Sequence, residues 1–186
     1  FCHQHHTRLF LDECFLDLSD EGISMKGYLK AYPELCILKA FTKSYGMAGV
    51  RLGYCLCSDE ELLEKMSRTV QPWNVSILAQ AAGVAALSET QFLAKTKALI
   101  PVERRWLKGE LEALGLWVCP SKANYLLFYG EPELHTTLKK HGIAIRNCDN
   151  YHGLSSGWYR IAVRLHEQNR QLIAAMKQVL RKESSW

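Results

Sequence analysis

The sequence predicts an α/β fold: a mostly parallel sheet with helices, followed by a second, smaller α/β unit. Three observations carry that prediction. The first third contains short, continuous apolar runs, which suit parallel strands buried on both faces better than alternating, one-faced strands. The middle third is rich in Ala and in residues at helical spacing. From Leu116 onward short strands alternate with helices. At 186 residues and 48% hydrophobic the chain is long enough for a sizeable core.

Taken in order, residues 1–6 read as the tail of a helix. Arg8-Leu9-Phe10-Leu11-Asp12-Glu13 reads as a buried strand ending in carboxylates, and residues 24–31 as a helix. Leu35–Phe41 is a second buried strand and Val50–Cys57 a third. Ser58-Asp59 then looks like a helix cap, with Glu60 and Glu61 in the first turn where the helix dipole favours them. Pro72 breaks the pattern. Residues 76–89 form an Ala-rich helix in which Gly83 allows close packing, and 90–114 continue as a long amphipathic helix, bent near Pro101 and stopped by Gly115. Strands follow at 116–119, 124–129, 143–147 and 158–164, with helices at 132–141 and 166–182; Gly142 is a helix stop. The change in character places a boundary inside the long helix, giving domains 1–95 and 96–186.

Net charge is +4, with the basic residues scattered. That does not suggest nucleic acid but is compatible with a small anionic substrate. No apolar run reaches the roughly 20 residues of a membrane span. The opening Phe-Cys-His-Gln-His-His is not a secretory leader. Seven cysteines, an odd number without a Cys-x-x-Cys, read as reduced thiols of a cytoplasmic protein. Cys2, His3, His5 and His6 have no second cluster at ligand spacing, so no metal site is expected. The chain lacks an initiator Met and enters a strand within seven residues, so it is expected to be part of a longer protein.

The chemistry concentrates in Phe41-Thr42-Lys43-Ser44-Tyr45-Gly46-Met47-Ala48-Gly49-Val50-Arg51-Leu52-Gly53-Tyr54. By position alone Lys43 is the solvated end of a strand. Its company suggests more. Arg51 follows eight residues later, beyond Gly46 and Gly49, where the backbone can approach a phosphate. Guanidinium matches phosphate oxygens with paired hydrogen bonds. Asp12, which alone reads as a turn or cap residue, adds a carboxylate at a strand end.

Together these residues resemble the cofactor-lysine segment of the fold-type I aminotransferases, which depend on pyridoxal 5'-phosphate (PLP). In that family a strand ends in Asp-Glu-Ala-Tyr/Phe and the Schiff-base lysine follows some thirty residues later. Here Asp12-Glu13-Cys14-Phe15 precedes Lys43 by 31 positions. The resemblance implies the C-terminal part of the PLP-binding large domain, then the small C-terminal domain. It implies Lys43 as the catalytic, cofactor-bearing lysine, Asp12 on the pyridine nitrogen, and Arg51 with Thr42 on the phosphate. Two departures stand out. Phe15 replaces a common Tyr that would bond the cofactor's 3'-oxygen, and Ala40 stands where relatives often use Ser to bind phosphate.

The substrate signal lies later. Arg160, in Tyr159-Arg160-Ile161-Ala162-Val163-Arg164, matches the arginine that clamps the substrate's α-carboxylate in the family; by position alone it is a surface strand residue. Arg164 is four further on, either on the same face or an exposed edge charge. Arg146 matches the arginine that contacts substrate phosphate in histidinol-phosphate aminotransferases and threonine-phosphate decarboxylases. Asn124, opening a strand, is a candidate for tuning the pocket. The run Ile145-Arg146-Asn147-Cys148-Asp149-Asn150-Tyr151-His152-Gly153-Leu154 is similar to the threonine-phosphate decarboxylases of cobalamin biosynthesis, and Phe15 agrees with them. The resemblance therefore implies decarboxylation of O-phospho-L-threonine to an aminopropanol phosphate, with histidinol-phosphate aminotransferase as the alternative. It also implies a homodimer when full-length, and little activity from these residues alone.

Overall fold

In the computed structural model, residues 1–183 are described, and the chain divides into two compact units, residues 1–96 and a second beginning at Lys97. In the first unit, strands β1 (Leu9–Asp12), β2 (Leu35–Ala40) and β3 (Gly53–Cys57) form a sheet in that order. β1 and β2 pair in parallel, Leu9 opposite Leu35 through Asp12 opposite Leu38. β3 runs antiparallel to β2, Cys36 opposite Cys57 through Ala40 opposite Gly53. Leu35, Cys36 and Ile37 are the buried centre of this sheet.

Several predicted elements change. Residues 1–6 form turns rather than a helix. β1 is not buried on both faces: Leu9 is 41% and Phe10 52% exposed, because among the described residues β1 has a strand on one side only. Residues 24–31 contain only a 3-10 turn, Met25–Tyr28, capped by Ser24. Gly27 and the nearby Pro33 leave too little uninterrupted sequence for an α-helix. The third strand starts at Gly53 because Ala48–Val50 form a 3-10 turn.

Helix α1 is a single turn, Phe41–Ser44. Helix α2 (Glu60–Thr69) is capped by Asp59, whose Oδ1 accepts from Leu62 N at 3.0 Å. Helix α3 (Ile77–Ser88) is capped by Ser76, which accepts from Ala79 N at 3.1 Å. A Cβ on Gly83 would lie 2.5 Å from Leu52 Cδ2, so the absent side chain is what permits the approach. Helix α4 (Thr90–Ala113) contains Pro101 and ends at Gly115, whose φ of +81° is the left-handed stop.

The second unit has a four-stranded sheet in the order β4 (Trp117–Val118), β5 (Tyr125–Tyr129), β7 (Trp158–Ala162), β6 (Arg146–Asn147), with every pair antiparallel. Helices α5 (Leu134–Lys140) and α6 (His166–Glu183) complete it. Alternation divides the sheet. Leu126, Phe128, Tyr159 and Ile161 face a closed core with Leu107, Leu111, Leu138 and Met176. Tyr125, Leu127 and Arg160 take the opposite face and are only half-buried. Buried Asn169 bonds Glu103 Oε2 at 2.9 Å and both backbone groups of Arg164, tying α4 to the end of β7 and the start of α6. Among the described residues no helix is long and apolar enough to cross a membrane.

Candidate active site

The predicted site residues fall into two groups, one in each unit. In the first, β2 runs straight into α1, which carries Lys43. The Lys43 side chain is exposed, and its Nζ lies 5.4 Å from the centroid of the Phe15 ring. Among the described residues it has no carboxylate partner. Asp12 ends β1, where its Oδ1 accepts from Cys14 N at 2.8 Å. Hydrogen bonds from the Cys14 thiol and backbone N–H hold the Asp12 carboxyl below its ordinary value, so it is ionised at neutral pH.

Arg51 has φ +59°, a left-handed conformation that disfavours a side chain. Its Nη1 donates to Ala48 O at 3.0 Å. A Cβ on Gly46 or Gly49 would meet nothing within 4 Å, so the loop between Lys43 and Arg51 is open. Thr42 is half-buried, and its hydroxyl makes no hydrogen bond among the described residues. A primary amine with no carboxylate partner among the described residues, an ionised carboxylate and a guanidinium beside an open glycine loop suit a phosphate-bearing aldehyde on a protonated pyridine ring, which is the chemistry of PLP.

Beneath these residues lies a charge network with no counterpart in the sequence reading. Lys39 is 10% exposed; its Nζ lies 3.3 Å from Glu13, which is 3% exposed, and 3.2 Å from Asp17. Burial opposes the Lys39 charge, but Asp17 and Glu13 outweigh it and keep the ammonium above its ordinary value. Glu13 also accepts from Ser24 Oγ and Met25 N, each at 2.8 Å, and Asp17 accepts from Ser44 Oγ at 3.4 Å. Glu13 is next to Asp12 in sequence, and Ser44 is next to Lys43. The network therefore connects the two segments that present the candidate groups. Its signal was a lone lysine inside the apolar run Leu35–Phe41. A cavity of about 330 Å³ lies against Lys39, Asp17 and Ser44; Lys43, Asp12 and Arg51 do not line it.

In the second unit, Arg146 on β6 stands directly opposite Arg160 on β7. Directly opposed side chains share a face of the sheet, with their Cβ atoms about 4.5–5.5 Å apart, and like charges there repel. Among the described residues neither guanidinium has a carboxylate partner. Arg146 Nη2 donates to Asn150 Oδ1 at 3.1 Å, and its guanidinium carbon lies 5.6 Å from the centroid of the Tyr151 ring. The Arg160 guanidinium carbon lies 5.2 Å from that of Tyr125. Burial pushes the nearby Cys148 thiol up, while the Arg160 and Arg146 charges pull the other way.

Asn124 precedes β5, and its Oδ1 is buried without a hydrogen-bond partner among the described residues. Arg164 does not share the strand face: it lies beyond the end of β7, where its Nε donates to Gln168 Oε1 at 3.1 Å. At the chain start, His3 Nδ1 lies 3.1 Å from Glu34. All seven cysteines are free.

The family model described as aminotransferase class I and II matches residues 1–176. The chain is 37% identical over 183 residues to a threonine-phosphate decarboxylase of Salmonella typhimurium, covering 96% of this chain and 50% of that protein. It is 36% identical over 183 residues to a histidinol-phosphate aminotransferase of an Anaeromyxobacter species, covering 94% and 49%. The structure of the histidinol-phosphate aminotransferase from Clostridium acetobutylicum superposes with a TM-score of 0.89 at 28% identity, covering 97% of this chain and 56% of that one. The chain thus spans about half the length of the relatives it matches. Both kinds of relative are PLP-dependent enzymes. A match of this extent establishes that the chain belongs to the class I and II aminotransferase family.

Proposed function

We propose that the protein to which this chain belongs decarboxylates O-phospho-L-threonine to an aminopropanol phosphate, with PLP held by Lys43, Asp12, Thr42 and Arg51. The observation that carries the substrate class is the opposition of Arg146 and Arg160, two guanidiniums with no carboxylate partner among the described residues. A ligand with two anionic ends would relieve their repulsion. Bound PLP supplies an electron sink for the pair left on Cα when one of its bonds breaks. The chain's residues supply the rest.

Asp12, kept ionised by Cys14, favours a proton on the pyridine nitrogen. Arg51 neutralises the cofactor phosphate, and Thr42 adds a hydroxyl donor. Arg160 binds the substrate carboxylate and Arg146 its phosphate, and Asn124, on the same unit, tunes the pocket. Two anchors fix the torsion about Cα, and that torsion decides which bond breaks. When the Cα–carboxylate bond breaks, CO2 leaves and Lys43, as its ammonium form, delivers a proton to Cα as general acid. The protein acts as a cytoplasmic homodimer, in a step of cobalamin biosynthesis.

A second reading is histidinol-phosphate aminotransferase, favoured by the structural match to the Clostridium acetobutylicum enzyme. It keeps every cofactor residue; Lys43 then takes a proton from Cα instead of delivering one. The test is to give the full-length protein with PLP O-phospho-L-threonine without keto acid, and to assay CO2 and the amine. Release of both supports the decarboxylase. Amino transfer from histidinol phosphate to 2-oxoglutarate, without CO2 release, overturns it in favour of the second reading.

A further inference from the structure

Arg146 and Arg160 are held in place without being neutralised. Opposed like charges at this spacing would splay apart unless something restrained them. The usual restraint is a carboxylate, but a carboxylate would also compete with an anionic ligand. Here the restraints are neutral. Tyr125 lies diagonal to Arg160 across β5 and β7 and on the same face of the sheet, its ring centroid 5.2 Å from the guanidinium. Tyr151 faces Arg146 at 5.6 Å from the turn after β6.

That turn is itself fixed. Tyr151 N donates to Cys148 O at 3.0 Å, Asn147 Nδ2 donates to Asp149 Oδ2 at 2.8 Å, and Asp149 N donates back to Asn147 Oδ1 at 3.1 Å. A ring face attracts a cation through its quadrupole and accepts none of the in-plane N–H donors. Asn150 takes one donor from Arg146. Among the described residues no acceptor takes the other in-plane donors of Arg146 or those of Arg160, which leaves them for a ligand.

We propose that Tyr125 and Tyr151 are positioning residues that hold Arg160 and Arg146 by their ring faces, and so set the affinity of this unit for a ligand with two anionic groups. The proposal rests on the substrate reading above for its natural ligand, but its test does not.

The full-length protein with PLP is compared with Tyr125→Leu, Tyr151→Leu, Tyr125→Phe and Tyr151→Phe. Four quantities are read: KM and kcat for O-phospho-L-threonine, the dissociation constant of inorganic phosphate by calorimetry, and the cofactor's visible absorbance. Loss of either ring is expected to raise KM and the phosphate constant about three- to tenfold. kcat and the absorbance should move little. The Phe variants, which keep the ring, should restore the affinity.

Leu variants that bind phosphate as tightly as the unaltered protein overturn the proposal. So do Phe variants as weak as the Leu variants, which would assign the effect to the hydroxyl. Tyr151 sits on an exposed turn, so its Leu variant decides the matter if Tyr125→Leu does not fold. An unaltered protein that ignores O-phospho-L-threonine but binds phosphate in this ring-dependent way removes the substrate reading and keeps the proposal. One that binds no phosphate removes the proposal.

Discussion

Arg51 occupies backbone space that costs a residue with a Cβ about 1–2 kcal/mol. Among the described residues its side chain bonds only Ala48 O, three residues back. Structure alone would prefer glycine there, which suggests a function for the side chain. Arg51→Gly in the full-length protein should therefore leave the apoprotein's Tm unchanged or raised. PLP affinity, followed by absorbance titration, should fall about tenfold or more with the loss of a charge-assisted bond; unchanged affinity would remove Arg51 from the phosphate site. Two thiols report on pH. Burial raises Cys14 and Cys36 from 9.0 to about 11, and the Asp12 carboxylate adds to the effect on Cys14. A group raised on folding contributes stability that is full below its unfolded value and lost as pH climbs through the folded one. Urea midpoints should thus fall between about pH 9 and 11, and Cys14→Ala should flatten that decline. Lys43, Asp12, Arg51, Arg146 and Arg160 could be proposed from the sequence because a motif fixes residue type and spacing together. The Lys39 network and the Tyr151 platform could not, because they depend on which side chains meet across 22 or more residues in one case and around a turn in the other.

At the scale of elements, the junction of β2, α1 and β3 sets where Lys43 sits. Ala40 opposite Gly53 is the last pair of that ladder, and Phe41 N donates to Leu52 O just beyond it. A Cβ on Gly53 would lie 2.9 Å from the backbone oxygen of Lys39. Backbone yields less readily than a side-chain end, so Gly53→Ala should cost about 1–3 kcal/mol in a denaturant titration. Gly83→Ala presses only on the end of Leu52 and should cost less. Ser76→Ala removes the cap of α3 and should cost about 1 kcal/mol. Equal losses for the two glycine variants would contradict this account of the junction. Helix ends were well signalled in the sequence: Asp59, Gly115 and Gly142 all act at the ends they mark. Strand lengths were less legible. Ile143–Asn147 is uniformly strand-like in composition, yet only Arg146 and Asn147 pair with β7. Pairing depends on the partner's length and register, which composition does not carry.

Across the whole chain the two units differ in how completely they close. Every residue of the main buried cluster, from Leu107 to Val179, belongs to the second unit. Most of the large apolar side chains left strongly exposed belong to the first, among them Leu9 and Phe10 on β1 and Ile77, Leu78 and Val84 on α3. Exposed apolar surface marks interaction sites where it is contiguous, and among the described residues β1 also has one unpaired strand edge. The α/β class was legible in the runs and glycine stops. The open face was not, because an apolar strand reads the same whether or not anything covers it. This asymmetry leads to a prediction about parts. Residues 90–186, which keep α4 whole, should fold alone, with fixed near-UV circular dichroism and one cooperative urea transition. Residues 1–96 alone should bind hydrophobic dye and melt without cooperativity. The 186 residues together should then be folded in the second unit and show no turnover with either phosphorylated substrate. A non-cooperative 90–186 would mean that its core needs the first unit after all, and the two-unit division would lose its energetic meaning.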